Sequence, residues 1–496
     1  MATTVQDVPI HRTTDLELYR ELDEFGPAIE ELRRLAAEVA AKLGRGRVWM
    51  LSSTESGGGV AEMMPRLCSF LADLGIDTRW LVLKPDDPDF FRVTKALHNM
   101  IHGEPGLVEM EAAHRIYDRV SREAAHELRQ VQRRDLLVVH DPQPAGVAVH
   151  LQEAFRPTLV WRCHVGTAKR NACTDEAWSF LRRYLDSYER LIFSLLSYAP
   201  QECLERCSEV VPGIDPLSHK NRALRPYKLV GVLRAAGLID GPSVPDWASF
   251  EAPVHRFREG AWTTEPIANL LHVPTIVQIS RFDRLKGFAP LLPAFEHLLS
   301  RGPSEAKKRR VSSERTESEI SRAHLLLAGP DPKGVADDPE AGEVLEELCA
   351  LQAALPRELR ERVHLLRLPM ADVKQNALIV NALQRMALVV VQNSKQEGFG
   401  LTVAEALWKG TPVAGADVSG IAAQIRDGTD GILIADPTSP ESIAEALLRM
   451  LSSPLEAETM ARTGRARVRD HFTILAQIRG FLRAFDRALE GRGPGA

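Results

Sequence analysis

Two cations stand at a spacing that suits binding of a phosphate-bearing ligand. Arg281 and Lys286, five residues apart, directly follow the apolar run 275–280. Cations at the end of a buried strand suit a clamp on a diphosphate, because arginine can bind phosphate through two parallel hydrogen bonds and lysine supplies a point charge. The alternative interpretation is a solvated turn that carries two surface cations.

A second motif, EGFGLTVAEA at residues 397–406, carries the carboxylates Glu397 and Glu405. Its glycines predict a loop, followed by a short helix from about Leu401 whose free N–H groups can bind a phosphate. At 1.5 Å rise per residue the two carboxylates lie roughly 12 Å apart, too far to act as an acid/base pair on one bond. They could instead bind hydroxyl groups at opposite ends of a long ligand such as a nucleotide sugar. The alternative is a helix with incidental glutamates.

A glycine run near the N-terminus joins a predicted strand to a predicted helix. Gly58 and Gly59 end the sequence SGGG, and glycines let the backbone approach a ligand where helical N–H groups attract an anion. The run has neither dinucleotide-fold spacing nor a Walker lysine, and a tight turn without a ligand explains it equally well.

A His-Asp pair follows another apolar run. Because sequence neighbours on a strand point to opposite faces, we interpret His140 as structural and Asp141 as a loop residue or acceptor contact.

The elements that must position these residues alternate between strand and helix. Near-continuous apolar runs that end in polar residues are typical of parallel strands covered on both faces. Strands are predicted at 48–51, 78–83, 135–140, 158–164, 191–196, 275–280, 324–328, 363–366, 388–391 and 412–415, and helices at 14–44, 60–74 and 474–489. The sequence therefore predicts an α/β protein.

Domain boundaries are indicated by composition. The Pro/Gly-punctuated stretch 212–272 predicts a crossing between domains. We expect a first domain at 1–265, a second at 266–473, and a C-terminal segment, 474–496, that packs back on the first. The charged, aromatic-free stretch 303–322 is expected to be a solvated loop insertion.

Composition excludes several classes of protein. The 496 residues are 44% hydrophobic and 26% charged, with a net charge of −5 that gives no basic field for nucleic acid. Six cysteines are too sparse for a disulfide framework, and no signal peptide or membrane span is predicted. We expect a cytoplasmic protein without a nucleic-acid or membrane partner, and a homodimer stays open.

Several motifs of the chain resemble those of a known family. The Glu-x7-Glu element within EGFGLTVAEA, with SRFDRLKG upstream, resembles the retaining glycosyltransferases of family 4. The resemblance is closer to their trehalose synthase branch, which joins a nucleotide-activated glucose to free glucose. Stretches similar to that branch are SSTESGGGVAEMMPRL, TRWLVLK, FFRVTKALHN, HDPQP, WRCH, IDPLSHKN and NSKQEGFGLTVAEALWKGTPVAG.

The resemblance implies a fold and a set of roles. The fold is GT-B, two facing Rossmann-like domains with the ligand cleft between them. Glu397 would bind the donor sugar, Glu405 the ribose, and His164 would lie beside the transferred sugar. The donor site would comprise Gly58, Gly59, Gly398, Phe399, Gly400, Leu401, Thr402 and Glu405, with Arg281, Lys286, Glu397 and His164 as catalytic residues.

The resemblance also implies a nucleoside-diphosphate sugar donor and a small sugar or cyclitol acceptor, with no metal and no cofactor. Arg281 and Lys286 would stabilise the departing diphosphate, so that catalysis is mostly positioning and electrostatic stabilisation, with retention at the sugar.

One departure from the branch concerns the acceptor. After His164 the chain reads Val165-Gly166-Thr167, where trehalose synthases lead us to expect an acidic residue. Asp141 and Gly166 are the acceptor-side candidates, and Gly166 would leave room for a bulkier acceptor. The alternatives to trehalose synthesis are a trehalose phosphorylase, a natural-product (pseudo)glycosyltransferase acting on a cyclitol or amino sugar, and a non-catalytic nucleotide-sugar-binding protein.

Overall fold

The structure of the chain is a computed structural model. It describes residues 4–11, 15–22, 24–55, 59–106, 109–153, 156–241, 250–308, 314–334 and 340–490.

The chain divides into two compact units. The first comprises Met1–Gly213 and Ile474–Ala496, and the second comprises Ile214–Thr473. Residues 214–265, which the sequence analysis assigned to the first domain, therefore belong to the second. The reason is that this Pro/Gly-rich stretch contains a helix and a β-hairpin that extends the second sheet.

The first unit is built around a sheet whose strands are nearly all parallel. Its strands are β1 (Thr4–Val8), β2 (Val48–Ser52), β3 (Thr78–Lys84), β4 (Leu136–His140), β5 (Thr158–Cys163), β6 (Arg190–Phe193) and β7 (Cys207–Glu209). Its helices before the crossing are α1 (Glu17–Arg20), α2 (Gly26–Leu43), α3 (Gly59–Asp73), α4 (Pro88–Ile101), α5 (Met110–Glu127) and α6 (Ala172–Leu185). Within the described residues the strand order is β1-β3-β2-β4-β5-β6-β7, with β1 alone antiparallel.

The predicted helix over 14–44 is two helices. α1 ends at Arg20 and α2 begins at Gly26. Pro27 lies in the first turn of α2, where its missing N–H costs nothing, but within one continuous helix it would remove an interior hydrogen bond.

The second unit also contains one sheet. Its strands are β8 (His255–Arg258), β9 (Ala261–Thr263), β10 (Thr275–Ile279), β11 (His324–Pro330), β12 (Val363–Leu368), β13 (Val389–Gln392), β14 (Val413–Ala416) and β15 (Ile432–Ile434). Its helices are α7 (Pro226–Ala235), α8 (Leu291–Lys308), α9 (Glu314–Ser321), α10 (Glu340–Ala354), α11 (Arg357–Arg360), α12 (Val373–Met386), α13 (Leu401–Trp408), α14 (Ser419–Ala422), α15 (Pro440–Ser452) and α16 (Pro454–His471). Across the described residues the order is β15-β14-β13-β10-β11-β12-β8-β9.

The charged stretch 303–322 is partly helical rather than a loop. Residues 303–308 complete α8, and α9 covers 314–321; the remainder, 309–313, lies outside the described residues. Ile320 explains the second helix, because this apolar side chain is buried in the core of the unit.

The last helix, α17 (Ile474–Ala488), returns to the first unit and packs against α2. Its inner face, including Ile478, Phe481 and Phe485, is fully buried, and Lys42 of α2 pairs with Asp486 at 2.5 Å. An amphipathic helix buried in this way completes the hydrophobic core of the first unit.

Candidate active site

The strand order of the second sheet creates a reversal point. β10 pairs with β11 on one side and with β13 on the other, so the chain winds away from β10 in both directions. In open α/β sheets, ligands bind outside the carboxyl ends of the strands at such a point. Arg281 and Lys286 follow β10, whereas Glu397 follows β13, so the fold brings these predicted residues to one edge.

The loop after β10 is held in shape by its own turn and by the neighbouring loop. Asp283 accepts a hydrogen bond from the Leu285 N–H, and a 3₁₀ turn covers Arg284–Lys286. Gly287 then adopts φ 62°, a left-handed conformation that favours glycine. A methyl group there would lie 2.0 Å from the carbonyl oxygen of Asn393, so the two loops pack backbone to backbone.

Buried amides tie the two loops together. Asn393 Nδ2 donates to the Gly287 carbonyl at 2.9 Å, and Gln278 Nε2 donates to the Lys286 carbonyl at 2.8 Å. The Asn393 N–H donates in turn to Gln278 Oε1 at 2.9 Å. Sequence reasoning missed both residues, although a glutamine inside the apolar run 275–280 was a usable signal, since a buried amide requires partners.

Lys286 and Glu397 form an ion pair at this edge. Lys286 Nζ lies 2.6 Å from Glu397 Oε2, and the two side chains are 15% and 16% exposed. Ser394 Oγ donates to the same carboxylate oxygen at 3.3 Å. Arg281 is more exposed, and its guanidinium lies 3.6 Å from Asp283.

The EGFG loop leads into α13 as the sequence predicts. Gly400 has φ 81° immediately before the helix, and Leu401 and Thr402 form its first turn. Gln424 Nε2 donates to the carbonyls of Phe399 and Gly400, which fixes the loop ahead of the helix. The first N–H groups of a helix have no intrahelical acceptor, so Leu401 and Thr402 can offer donors to an anion. Gly398 lies three residues before the helix.

Glu405 lies inside α13 in a largely buried setting. Its carboxylate is 3.5 Å from Lys220 Nζ. One turn later, Lys409 Nζ donates to the Glu405 carbonyl and to Asn221 Oδ1, each at 3.0 Å. Burial lowers the pKa of Lys409 to about 7, and the charge of Glu405 opposes that shift. Sequence reasoning did not identify Lys220 or Lys409.

In the first unit the candidate residues gather at the carboxyl ends of β4 and β5. His140 Nδ1 and His164 Nε2 lie 3.0 Å apart with their rings nearly parallel. Asp141 has φ 67°, a left-handed conformation that aspartate tolerates better than most residues. Its Oδ1 accepts a hydrogen bond from the His164 N–H at 2.7 Å, so Asp141 fixes the backbone of His164.

A buried arginine sets the electrostatics of this cluster. Arg162 is completely buried and donates to Ser194 Oγ at 3.1 Å, whereas its Nε and Nη1 have no hydrogen-bond partner among the described residues. Burial, aided by the charge of Arg162, lowers the pKa of His140 to about 3 and that of His164 well below its ordinary value. Burial raises the pKa of Asp141 to about 6. Both imidazoles are therefore neutral at pH 7.

The motif WRCH contains Arg162, but the sequence alone did not predict a role for this residue. A charged residue inside a strand that is buried at every position was the available signal.

Gly166, the second acceptor-side candidate, packs closely against Tyr198. A methyl group at this position would lie 2.6 Å from Cβ, Cγ and Cδ2 of Tyr198. The buried tyrosine already fills the space that the glycine leaves. Of the glycine run, Gly59 is the first residue of α3, and Gly58 lies outside the described residues.

Neither a metal cluster nor a membrane span is found in the described part of the chain. No three His, Cys, Asp or Glu side chains there are grouped to hold a metal ion. No described helix combines the length and the hydropathy needed to cross a membrane.

Comparisons with known proteins agree on the family. Residues 50–200 match the family "Trehalose synthase, N-terminal domain", and residues 269–467 match "Glycosyl transferases group 1". A trehalose synthase of Pyrococcus horikoshii is 32% identical over 93% of this chain and 95% of the relative. A trehalose phosphorylase of Pleurotus pulmonarius is 28% identical over 93% of this chain, which spans 59% of that protein.

Solved structures of other proteins share this fold. A UDP-forming α,α-trehalose-phosphate synthase from Burkholderia xenovorans, solved with glucose-6-phosphate, superposes with a TM-score of 0.58 at 15% identity. The match covers 89% of this chain and all of that one. The two parallel-sheet units thus have the GT-B fold, and the protein is a glycosyltransferase. The chain belongs to the trehalose synthase family.

Proposed function

We propose that the protein transfers glucose from a nucleoside-diphosphate glucose to free glucose, giving trehalose with retention at the transferred sugar and without a metal ion. The observation that carries the proposal is the Lys286–Glu397 ion pair at the reversal point of the second sheet. The 32% identity to a trehalose synthase over nearly the whole chain supports the choice of product.

When the donor binds, Lys286 and Glu397 exchange their contact with each other for contacts with the donor. Lys286 and Glu397 are each mostly buried, so either charge alone would be poorly solvated. A bound donor supplies both replacements: its diphosphate contacts Lys286, and its sugar hydroxyls donate to Glu397. Arg281, which is mostly exposed, completes the diphosphate contact.

The leaving group requires charge stabilisation more than proton transfer. Departing nucleoside diphosphate carries its charge on phosphate oxygens, and Arg281, Lys286 and the first turn of α13 are the groups that meet it. These cations and N–H groups do the work that a divalent cation would otherwise perform. Glu405, beside Lys220, binds the ribose.

The acceptor is held by the first unit. His164, neutral and fixed by Asp141, offers a hydrogen-bonding imidazole to the acceptor. The missing acid in Val165-Gly166-Thr167 is not replaced by open space, because Tyr198 fills it. A compact acceptor such as glucose therefore suits this segment better than a bulky cyclitol conjugate.

A reducing compartment, the cytoplasm, is consistent with the cysteines. All six lie within the described residues and are unpaired, four of them buried.

A product screen tests the proposal. Purified protein is incubated with ADP-, UDP-, GDP- or dTDP-glucose and free glucose, with and without a chelator, and the products are identified by mass spectrometry and anomeric-proton NMR. A hexose disaccharide with two α-linked anomeric centres, formed equally in the presence of chelator, is the expected result. A β configuration at the anomeric carbon that comes from the donor would contradict retention, and loss of activity on chelation would contradict metal independence.

Trehalose phosphorylase is the second candidate, favoured by the 28% identity to the Pleurotus protein. A parallel reaction with trehalose and inorganic phosphate distinguishes it, since only a phosphorylase releases glucose 1-phosphate without a nucleotide. If no disaccharide forms while one nucleotide sugar binds, cyclitol and amino-sugar acceptors are tested next. Binding without turnover on any acceptor would identify a non-catalytic nucleotide-sugar-binding protein.

A further inference from the structure

A second charged cavity lies at the opposite edge of the same sheet. Its volume is about 640 Å³, within the range of small-molecule sites, and it is lined by residues of β8, β11, β12, α10 and α11 and of the loops beside them. Five arginines line it, against the three carboxylates of Glu259, Glu358 and Glu361. His324 begins β11 and His364 is the second residue of β12, so the cavity lies at the amino ends of these parallel strands. Lys286 and Glu397 follow the carboxyl ends of β10 and β13. The cavity is therefore separate from the candidate active site.

The sheet register concentrates cations on one face. β8 runs antiparallel to β12, with Arg256 opposite Leu366, which places Arg258 opposite His364. Phe257, between the two arginines, packs into the hydrophobic core on the other face. Because side chains alternate along a strand, Arg256 and Arg258 project toward the cavity side together.

Arg256 is buried with one N–H group that has no acceptor among the described residues, although the charge of Glu265 acts on it. The residue is 7% exposed, its Nε has no hydrogen-bond partner, and among the described residues it forms no ion pair. Arg258, by contrast, has Glu265 at 2.8 Å and Glu259 at 3.5 Å. Burial, with the nearby charge of Arg258, lowers the pKa of Arg256. A buried N–H group without an acceptor costs stability, and a bound anion would supply a partner for it.

Two histidines, His324 and His364, also line the cavity. His324 Nδ1 and His364 Nε2 lie 2.9 Å apart. Burial lowers the pKa of His324 to about 4 and that of His364 well below its ordinary value, so neither adds a positive charge at pH 7. The arginines are therefore the groups that attract an anion.

The cavity lining also contains a hydrogen-bond acceptor, the side-chain oxygen of Gln352, that has no partner among the described residues. Gln352 Nε2 donates to the carbonyls of Arg360 and Val363, at 3.1 and 3.2 Å. These two bonds fix the orientation of the amide, and Oε1 is left buried without a partner. A hydroxyl group on the ligand would satisfy this oxygen.

We propose that this cavity is a second ligand site, which binds a phosphate monoester of a polyol or sugar through Arg256 and Arg258, with Gln352 accepting a hydroxyl. Guanidinium groups suit phosphate because they offer paired N–H donors at the spacing of two phosphate oxygens. The site does not depend on which sugar the active site transfers.

Isothermal titration of the full-length protein with inorganic phosphate and with glycerol 3-phosphate tests the site. In Arg256→Met we expect the affinity of this binding event to fall about tenfold or more, the loss of one charge-assisted contact. Lys286→Ala should leave the event unchanged, since it alters only the donor site, and Arg92→Gln is a charge-matched control on an exposed helix. Unchanged phosphate binding in Arg256→Met, or its complete loss in Lys286→Ala, would overturn the proposal.

Thermal unfolding gives an independent readout. Arg256→Met should melt no lower than wild type without phosphate, because the substitution removes a buried guanidinium whose Nε has no acceptor among the described residues. Phosphate should raise the melting temperature of Arg256→Met less than that of the wild type. If Arg256→Met does not fold, Arg258→Gln, at a half-exposed side chain, replaces it in both experiments.

Comparison of inorganic phosphate with glycerol 3-phosphate distinguishes a site for free phosphate from a site for a phosphate monoester. Tighter binding of glycerol 3-phosphate, with the difference abolished in Gln352→Leu, supports a phosphate monoester. Equal binding of both probes would overturn the role of Gln352 and leave a site for inorganic phosphate.

Discussion

Lys286 Nζ and Glu397 Oε2 lie 2.6 Å apart although 111 residues separate them in the chain. β10 and β13 are neighbours in the sheet, and this adjacency brings the loops that follow them into contact. Each charge compensates the other, so a variant that lacks one of the two side chains leaves the remaining charge without its counter-charge.

Replacement of Glu397 separates binding from turnover. In Glu397→Gln, Lys286 loses its counter-charge, so free nucleoside diphosphate should bind as tightly as to wild type or more tightly. Turnover should fall by about 10²-fold or more, since contacts to the donor sugar are lost. Calorimetry and steady-state kinetics measure the two effects; equal losses of affinity and turnover would contradict the assigned role.

Replacement of Lys286 should affect diphosphate binding in the opposite direction from replacement of Glu397. Lys286→Ala should weaken diphosphate binding and lower kcat by about 10²-fold, because the lysine stabilises charge on the leaving group. Since the two residues are in contact, the double variant should show a smaller loss than the two single losses combined. A rise in KM with unchanged kcat would mean that Lys286 binds substrate and transition state equally.

The contact between the two loops predicts a stability effect. Gly287→Ala places a methyl group 2.0 Å from the Asn393 carbonyl at a positive φ, so we expect a loss of about 2 kcal/mol or more in the free energy of unfolding. Gly398→Ala is the matched control, because nothing lies within 4 Å of the added carbon. Chemical denaturation compares the two variants, and equal stability would show that the loops can separate at little cost.

The close packing of Gly166 against Tyr198 is tested by a compensating pair. Gly166→Ala should destabilise the protein by about 1–3 kcal/mol because the added carbon would lie 2.6 Å from the ring. Gly166→Ala with Tyr198→Leu should recover part of that loss, whereas Tyr198→Leu alone should leave a cavity. If Gly166→Ala is as stable as wild type and only its acceptor kinetics change, the glycine faces the acceptor after all.

The neutral histidine pair predicts a pH dependence of stability. The folded pKa of His140, about 3, lies below its unfolded value near 6.5, so the folded state binds fewer protons between these values. Stability should therefore be complete above pH 6.5 and decline as pH falls toward 3, by about 2 kcal/mol at pH 5 from this residue.

Urea unfolding of wild type and His140→Asn at pH 7.5 and pH 5.0 measures that contribution. The difference between the two pH values should be smaller in the variant. Asp141, with a pKa raised to about 6, acts in the opposite direction: its cost disappears as pH falls from 6 to 3.8. An identical pH difference in both proteins would place the acid sensitivity elsewhere.

The sequence by itself determined the fold class and the strands that hold the candidate residues. Apolar runs with polar ends identified β2–β6 and β10–β14 to within a few residues, because a strand buried on both faces leaves a continuous hydrophobic signal. The strands that were not predicted are β1, β7, β8, β9 and β15. Polar residues interrupt β1, β7 and β8, and β9 and β15 have only three residues, so none of them carries a long apolar run.

Side-chain pairing was decided by tertiary structure alone. Sequence spacing selected Lys286 and Glu397 as ligand-binding residues, but their contact follows from strand order, which no local pattern encodes. Likewise, a glycine at 166 is compatible with an open pocket or with a neighbouring ring, and only the position of Tyr198 distinguishes them. The lowered pKa of Lys409 likewise depends on burial and on Lys220 and Arg385, which are distant in the chain, because electrostatic energies are set by three-dimensional surroundings.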